Sequence, residues 1–424
     1  AGLSTIAPDR IQVVKADGDF NFSALINLAS HHARGSFLLL LNNDTAALHP
    51  EWLSALLAEM ADPKVGIVAP RLVFPDGRIQ HAGAILGLSG AADYPWVGAS
   101  MDDPGYLGLL HHAHSVSAVS GAALLIRRTL FEALRGMDEE YAIAYGDVDL
   151  CIRAAQAGYR CIWTPHATLM HEAGLTLKYV FSPPEAAQAA QERFLKDRHT
   201  LLKRWLPQLA RDPAYNINLS LSSHRFDLET EPVLQPFAYG SAGQTRVLAL
   251  PADDSGSGAY RVAMPAREAT RGGLAACRLA KGYPLPVLIE RLGVSTLFSQ
   301  RQVDDNHLTT LSTLRDLMPH LRIVMDFDDL LTGVSRHNIY HQSIWKDMPR
   351  RLGELARLSD CFTVSTEPLA AAMRKVHEQV LTIHNGIAPA QWTHVTRAPR
   401  DRGRKLRVGW VGGYSHAGDL ALIR

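Results

Sequence analysis

Two strand-length apolar runs enclosing an amphipathic segment limit the fold more than any other feature of this sequence. Phe37–Leu41 is an unbroken apolar run that stops at Asn42, Asn43, Asp44 and Thr45, residues that favour turns. Pro50 then stands where the helical pattern "EWLSALLAEMA" takes its first turn, and "VGIVAP" returns as a second apolar run. Short apolar runs bounded by turn signals read as buried strands. "RIQVV" (10–14) reads as a strand ahead of them, with the helical pattern "SALINLASHHA" between. Strands alternating with helices predict an α/β sheet that is mostly parallel, with ligands outside the carboxyl ends of its strands.

The alternation continues. "RIQHAGAILG" reads as a hairpin or edge strand, and 89–114, rich in Gly, Pro, Asp and His, as a long loop of the kind that often serves function. "SAVSGAALLIRR" is a strand running into a helix near Arg128 that stops at Gly136. "GDVDLCIRAAQAGY" is a helix with acids in its first turn, "RCIWTP" a strand, and "ATLMHEAG" the exit from the sheet. "PPEAAQAAQERFLKDRHTLLKRWL" is a long amphipathic helix. Residues 215–243 read as a linker, which closes a first domain at 1–214. A second succession runs over 244–405 through "RVLALPA", "TLFSQ", "RIVMDFDD", "CFTVST" and "VLTIHNG", a Rossmann-like pattern. "LRVGWVGG" opens a further unit at 406–424.

Composition excludes several classes. The 424 residues exceed one ordinary core. Lys+Arg (43) nearly balance Asp+Glu (42), so no broad field draws nucleic acid or an anionic membrane. Cys151, Cys161, Cys277 and Cys361 form no CxxC pair, which speaks against a disulfide framework or thiolate zinc site and fits a reducing cytoplasm. No run reaches the roughly 18 apolar residues that span a bilayer. The beginning at Ala1 and the end inside a strand–Gly–helix pattern both read as interrupted, so a piece of a longer protein is expected.

Three short motifs can carry chemistry. Asp44 follows a buried strand, where a hard cation finds carboxylate and phosphate oxygens, although Asn and Asp there equally make a simple turn. Asp147 and Asp149, two apart on a helix, point in different directions, and both also complement the helix dipole. His171 follows a strand beside Glu172; a lone histidine is more often packed than a ligand. His81 is a pocket or packed-loop residue. His111, His112 and His114 lack the acid or Cys spacing of a metal site and read as solvated. Trp52 and Trp96 are both of a type that can stack on a sugar; Trp52, at helical spacing with Leu56, reads rather as core.

In order and context these motifs resemble the inverting GT-A glycosyltransferases of the family 2-like group that includes rhamnosyl- and galactofuranosyltransferases. The resemblance covers about the first half of the chain and lacks that fold's N-terminal strand. "NNDT" is similar to the DxD-type motif, "GDVDLCIRAAQAGYR" to "EDVDLCLR…GY", and "PHATLMHEAG" to the element that follows; "DGRIQHAG" and "VSGAALLIRR" match segments between. The resemblance implies Mn²⁺ or Mg²⁺ on Asp44 and His171, a nucleotide-diphosphate sugar held near Asn42, Asn43 and Asp44, and Asp147 as catalytic base. His81, Asp149 and Gly121 are the implied acceptor-pocket residues. Gly146 stands where the family has a Glu. An inverting transfer needs one base on the acceptor hydroxyl and a stabilised leaving diphosphate, so no nucleophilic Ser or Cys is expected.

The second half resembles the N-terminal, acceptor-side domain of a GT-B glycosyltransferase and its crossing into the C-terminal domain, over about 244–424. Gly412, Gly413 and His416 are the implied donor-phosphate residues. Asp326, Asp328 and Asp329 read as strand-end and N-cap groups rather than metal ligands. The resemblances together imply a multidomain hexosyltransferase of O-antigen or capsule assembly, acting on a lipid-linked or glycan acceptor at the cytoplasmic face, peripheral to the membrane, with no nucleic-acid partner. A chain cut at both ends is expected to transfer little sugar by itself. Two alternatives stay open: the first domain is a glycan- or nucleotide-binding scaffold with the activity in the second, or neither half is catalytic. A generic Rossmann enzyme is disfavoured, because no GxGxxG with a downstream acid is present.

Overall fold

The computed structural model describes residues 11–172, 184–238, 243–254, 256–332 and 347–387, with 389, 393–394, 396 and 409. The chain divides into two compact units, Ala1–Pro236 with Leu285–Leu292, and Phe237–Pro284 with Gly293–Arg424.

The first unit opens with α1 (Phe22–Ser30), capped by the Asn21 side chain, which accepts the Ala24 N–H at 3.0 Å. There follow β1 (Phe37–Leu41), β2 (Thr45–Ala47), α2 (Trp52–Glu59), β3 (Val65–Val73), β4 (Ile79–His81), β5 (Ile85–Leu86), β6 (Ala92–Asp93), β7 (His114–Val116), β8 (Ala123–Arg127), α3 (Arg128–Ala133), α4 (Gly146–Gln156), β9 (Arg160–His171) and α5 (Pro184–Ala210). The main sheet has the order β1-β8-β3-β9-β2, with β4 on β3 and β7 on β9. Leu56, Val68, Leu125 and Ile162 meet in one core cluster under α2, and Trp52 packs against it.

The expected mostly parallel sheet is not what forms here. Among the described pairs of this sheet, β3–β9 is parallel and the rest are antiparallel. The alternation was nevertheless a true signal. β1 and β3 are both antiparallel to β8 and so share a direction, joined through α2. β8 arrives later in the chain and inserts between them, an order that local periodicity does not encode.

Three other expectations change. Residues 11–14 are not in a strand. β9 does not leave the sheet after Pro165: its register on β3 steps from Thr164 opposite Pro70 to Thr168 opposite Arg71. A bulge absorbs the proline, which has no N–H to give the ladder, and the strand resumes to His171. Finally, 215–236 is not a linker. It belongs to the first unit, where Tyr215, Leu219 and Leu221 are buried and Phe226 stacks on Trp96 with centroids 5.4 Å apart. Trp96 is thereby occupied as core rather than offered to a sugar.

The second unit contains β10 (Arg246–Leu250), α6 (Met264–Arg271), β11 (Ala276–Leu279), β12 (Thr296–Gln300), α8 (Asp305–Leu317), β13 (Arg322–Phe327), α9 (Met348–Leu358), β14 (Cys361–Val364), α10 (Glu367–Met373) and β15 (Val380–Thr382). α7 (Pro286–Leu292), between β11 and β12 in sequence, is assigned to the first unit. The second sheet, in the order β11-β10-β12-β13-β14-β15, is parallel in every described pair, as the near-continuous apolar runs predict. Asp326 is a buried strand-end group bonded to Arg261 and Thr363, while Asp328 and Asp329 pair with Arg301 at 3.2 and 3.3 Å. Neither role is an N-cap. The Gly-rich turn after β10 is closed by its own carboxylate: Asp253 accepts from Gly258 N–H at 3.1 Å and from the Ser257 hydroxyl at 3.2 Å. Gly412, Gly413 and His416 lie outside the described residues.

Candidate active site

The site forms where β1 ends. The turn after Leu41 is locked by its own polar groups: Asn42 N–H donates to Ala122 O at 2.8 Å, and the Thr45 hydroxyl donates to Asn42 O at 2.7 Å. β2 then pairs with β9 so that Thr45 stands opposite His171, which brings Asp44 beside that ring. Asp44 Oδ1 is 3.1 Å from His171 Nε2, with both side chains largely buried. Oδ1 nonetheless has no aligned hydrogen-bond donor. The Asn42 amide reaches the same Nε2 only at 3.5 Å.

The opposite wall carries Asp147. The chain enters α4 through Tyr145, whose φ of 64° is left-handed, a costly conformation for a side chain of this size and one that clusters at functional sites. In the first turn, Asp147 Oδ2 accepts from Gly121 N–H at 2.7 Å and Oδ1 from Val148 N–H at 2.9 Å. Burial raises its pKa above the usual carboxylate range, against the pull of these N–H groups. Gly121 permits the approach, since a Cβ there would touch Asp147 Cβ at 3.4 Å and the Phe22 ring at 3.3 Å.

Asp147, Asn42, Asn43, Gly121 and His171 line one cleft of about 810 Å³. Asp44, 3.1 Å from His171 Nε2, adjoins this lining through that ring. Two residues expected in the pocket are elsewhere. Asp149 is fully buried on the other side of α4, where it accepts from Arg153 Nε at 2.7 Å, Trp205 Nε1 at 2.8 Å and Arg204 at 3.2 Å. It fastens α4 to α5. His81 is buried behind the cleft wall, its Nε2 accepting the Ser120 N–H at 3.1 Å and its Nδ1 facing Pro70 O at 3.4 Å. Burial lowers its pKa to about 4, so it is neutral and holds the backbone that presents Gly121 to Asp147.

Gly146 is explained by packing. A Cβ there would meet Ser23 Oγ at 2.7 Å and Met137 Cε at 3.0 Å. The space a glutamate would need is already filled, and Asp147 is the acid of that turn facing the cleft.

Several contributors carry weaker sequence signals. Asp197 of α5 is buried and accepts from Ile143 N–H at 2.8 Å and Ala144 N–H at 3.0 Å, fixing the loop that leads to Tyr145 and Asp147. Its signal was an acid on the apolar face of an amphipathic helix. Gln80 accepts from or faces His171 Nδ1 at 2.7 Å through Oε1, and donates through Nε2 to His171 O at 3.2 Å. Phe20, Phe22, Tyr94, Phe194 and Arg198 also line the cleft. Among the described residues no three or more His, Cys, Asp or Glu side chains gather as a metal-binding group, and His111, His112 and His114 form none.

Known proteins resemble part of this chain. Residues 2–194 match the family described as "Glycosyltransferase like family 2". The chain is 37% identical over 222 residues to the uncharacterized protein y4gI of Sinorhizobium fredii, covering 52% of this chain and 24% of that protein. It is 32% identical over 217 residues to the O-antigen biosynthesis protein RfbC of Myxococcus xanthus, covering 51% of this chain and 16% of that protein. With the N-acetylglucosaminyl-diphospho-decaprenol L-rhamnosyltransferase of Mycobacterium tuberculosis it shares 30% over 165 residues, 36% of this chain and 52% of the relative. The chain thus spans about a quarter, a sixth and a half of these relatives. Its first unit carries a glycosyltransferase domain of the family 2-like kind.

Proposed function

We propose that the first unit transfers a sugar, with inversion, from a nucleotide-diphosphate donor to a growing surface glycan of the O-antigen type. The observation that carries this reading is Asp147: a cleft-lining carboxylate held by two backbone N–H groups, with its pKa raised by burial. A carboxylate so placed takes the proton of an acceptor hydroxyl as that oxygen attacks the anomeric carbon. The bond from that carbon to the diphosphate breaks on the opposite face, and the nucleoside diphosphate leaves. One displacement then suffices, without a covalent sugar–enzyme intermediate.

Asp44 and His171 fit a divalent cation. A buried carboxylate oxygen without an aligned donor, 3.1 Å from an imidazole nitrogen, is an arrangement that a positive charge completes. Mn²⁺ or Mg²⁺ held there by these two residues and by donor phosphates would neutralise the charge of the departing diphosphate. Phe20, Phe22 and Phe194 give the cleft apolar faces suited to sugar rings, and Arg198 gives it a cation. The relatives named for O-antigen synthesis and for transfer to a diphospho-decaprenol sugar support a lipid-linked acceptor. Work at the cytoplasmic face of the membrane goes with such an acceptor; among the described residues no helix is long and apolar enough to cross a membrane. For the second unit we propose the N-terminal half of a GT-B enzyme, supported by its six-stranded parallel sheet.

The test is transfer from a panel of nucleotide sugars to lipid-linked and free glycan acceptors in Mn²⁺, with the anomeric configuration of the product read by NMR. Inverted product made by the wild type and not by Asp147→Asn is the expected result. Retained configuration, or full activity in that variant, would overturn the assignment.

A further inference from the structure

We propose that Gln80 is a positioning residue that holds His171 as the Nδ1–H tautomer, so that the Nε2 lone pair faces Asp44. This rests on the reading of Asp44 and His171 as cation ligands and extends it to the group that prepares them.

The argument begins with an asymmetry. The backbone oxygen of His171 can only accept a hydrogen bond, and the Gln80 side chain lies 3.2 Å from it. The NH₂ end of the amide must therefore point there. The other end, Oε1, is then fixed 2.7 Å from His171 Nδ1. An amide oxygen only accepts, so Nδ1 must carry the proton. In a neutral imidazole the remaining nitrogen, Nε2, is then an acceptor. It faces Asp44 Oδ1, a second acceptor, at 3.1 Å.

Position in the fold makes this a built arrangement. Gln80 is buried, the middle residue of the three-residue strand β4. β4 pairs with β3, which lies parallel to β9, the strand that ends at His171. The register on β3 steps at this point, with His81 opposite Leu72 and Ile79 opposite Val73, so Gln80 is the extra residue between two paired ones. Gln80 serves His171 while its neighbour His81 holds the Ser120 N–H. One short strand thus supports both sides of the cleft. Partners of this kind, on the far nitrogen of a ligating histidine, typically change metal affinity about 10–100-fold when removed.

The experiment uses the protein labelled with ¹⁵N-histidine, without metal, at a pH where His171 is neutral. Long-range ¹H–¹⁵N spectra, assigned with His171→Ala, should show a pyrrole-type Nδ1 and a pyridine-type Nε2 for His171. Gln80→Leu should shift this tautomer balance and weaken Mn²⁺ binding, read by EPR, about 10–100-fold. Gln80→Glu, which keeps an acceptor toward Nδ1, should restore the tautomer. A wild-type His171 carrying its proton on Nε2, or a folded Gln80→Leu protein with unchanged tautomer, would overturn the proposal. If Gln80→Leu does not fold, the wild-type spectrum still decides. Mn²⁺ affinity equal in wild type and Asp44→Ala would instead sink the cation reading, a result separate from the tautomer.

Discussion

At the scale of single residues, two side-chain environments make quantitative demands. Asp147 has a raised pKa because it is buried, and a base works only when deprotonated. Below its pKa the carboxyl holds its proton and cannot accept another; as pH rises through it, the rate rises. The acid limb of kcat/KM should therefore have its midpoint above the ordinary carboxylate value. Asp147→Asn should lower kcat on the order of 10²–10⁴-fold and abolish that limb, with Mn²⁺ affinity unchanged. A limb that survives in the variant would assign it to another group. Gly146 makes the reverse demand: its emptiness is required. Gly146→Glu must displace Ser23 Oγ and Met137, and overpacking of this kind costs about 1–3 kcal/mol. Thermal unfolding should show the loss, and a variant as stable as wild type would show that the pocket yields.

The residues in and around the cleft differ in how far the sequence conveys their place. Asp147 and His171 were visible as an acid and an imidazole beside helix and strand ends, and both line the cleft. Asp149 had the same credentials and lies on the opposite side of α4, bonded to Arg153, Arg204 and Trp205. Arg153 is a local partner, one helical turn on, but Arg204 and Trp205 are far along the chain, on α5, and no local pattern names them. Gln80 was hidden for a related reason. A neutral amide in an apolar strand has no distinctive signal until its neighbours are known.

At the scale of elements, the strands and helices were largely legible and their pairing was not. β1, α2 and β3 follow from apolar runs and a proline start, but β8 between β1 and β3 is a long-range choice. Pro165 looked like the end of a strand, and the bulge that absorbs it makes β9 long enough to deliver His171. α5 likewise contributes a buried acid that periodicity marks only as an oddity. Asp197 holds the Ile143 and Ala144 N–H groups, so Asp197→Ala leaves two donors without their acceptor. Each unsatisfied buried group costs about 1–3 kcal/mol, and the loop carrying Tyr145 toward Asp147 should loosen. We expect a lower melting temperature and a lower kcat with unchanged Mn²⁺ affinity, because Asp44 and His171 belong to other elements. Equal losses in kcat and Mn²⁺ binding would indicate general unfolding instead of a local anchor.

At the scale of the whole molecule, the two units solve the problem of a buried sheet differently. The first mixes strand directions and places its polar network around a cleft. The second is a parallel sheet with a charged pair in its interior. Arg261, ahead of α6, meets the Asp326 carboxylate through Nε at 3.1 Å and Nη2 at 2.5 Å, and the same guanidinium reaches Asn385 Oδ1 at 3.1 Å and the backbone oxygen of Ile383. Thr363 donates to Asp326 from β14 at 2.7 Å. One arginine thereby ties the segment after β10 to β13 and to the residues just beyond β15. Both charges are almost fully buried. Removing one leaves the other without compensation, which typically costs about 3–5 kcal/mol, whereas replacing the pair together with apolar residues is often neutral. Arg261→Met should therefore strip amide-exchange protection from β10 and β12–β15 while β1, β3, β8 and β9 keep theirs. The double change Arg261→Met with Asp326→Leu should recover much of that loss. If the single variant kept full protection in β13, the pair would be incidental to the second unit's stability; if the double variant were no better than the single, the cost would lie in packing and not in the stranded charge.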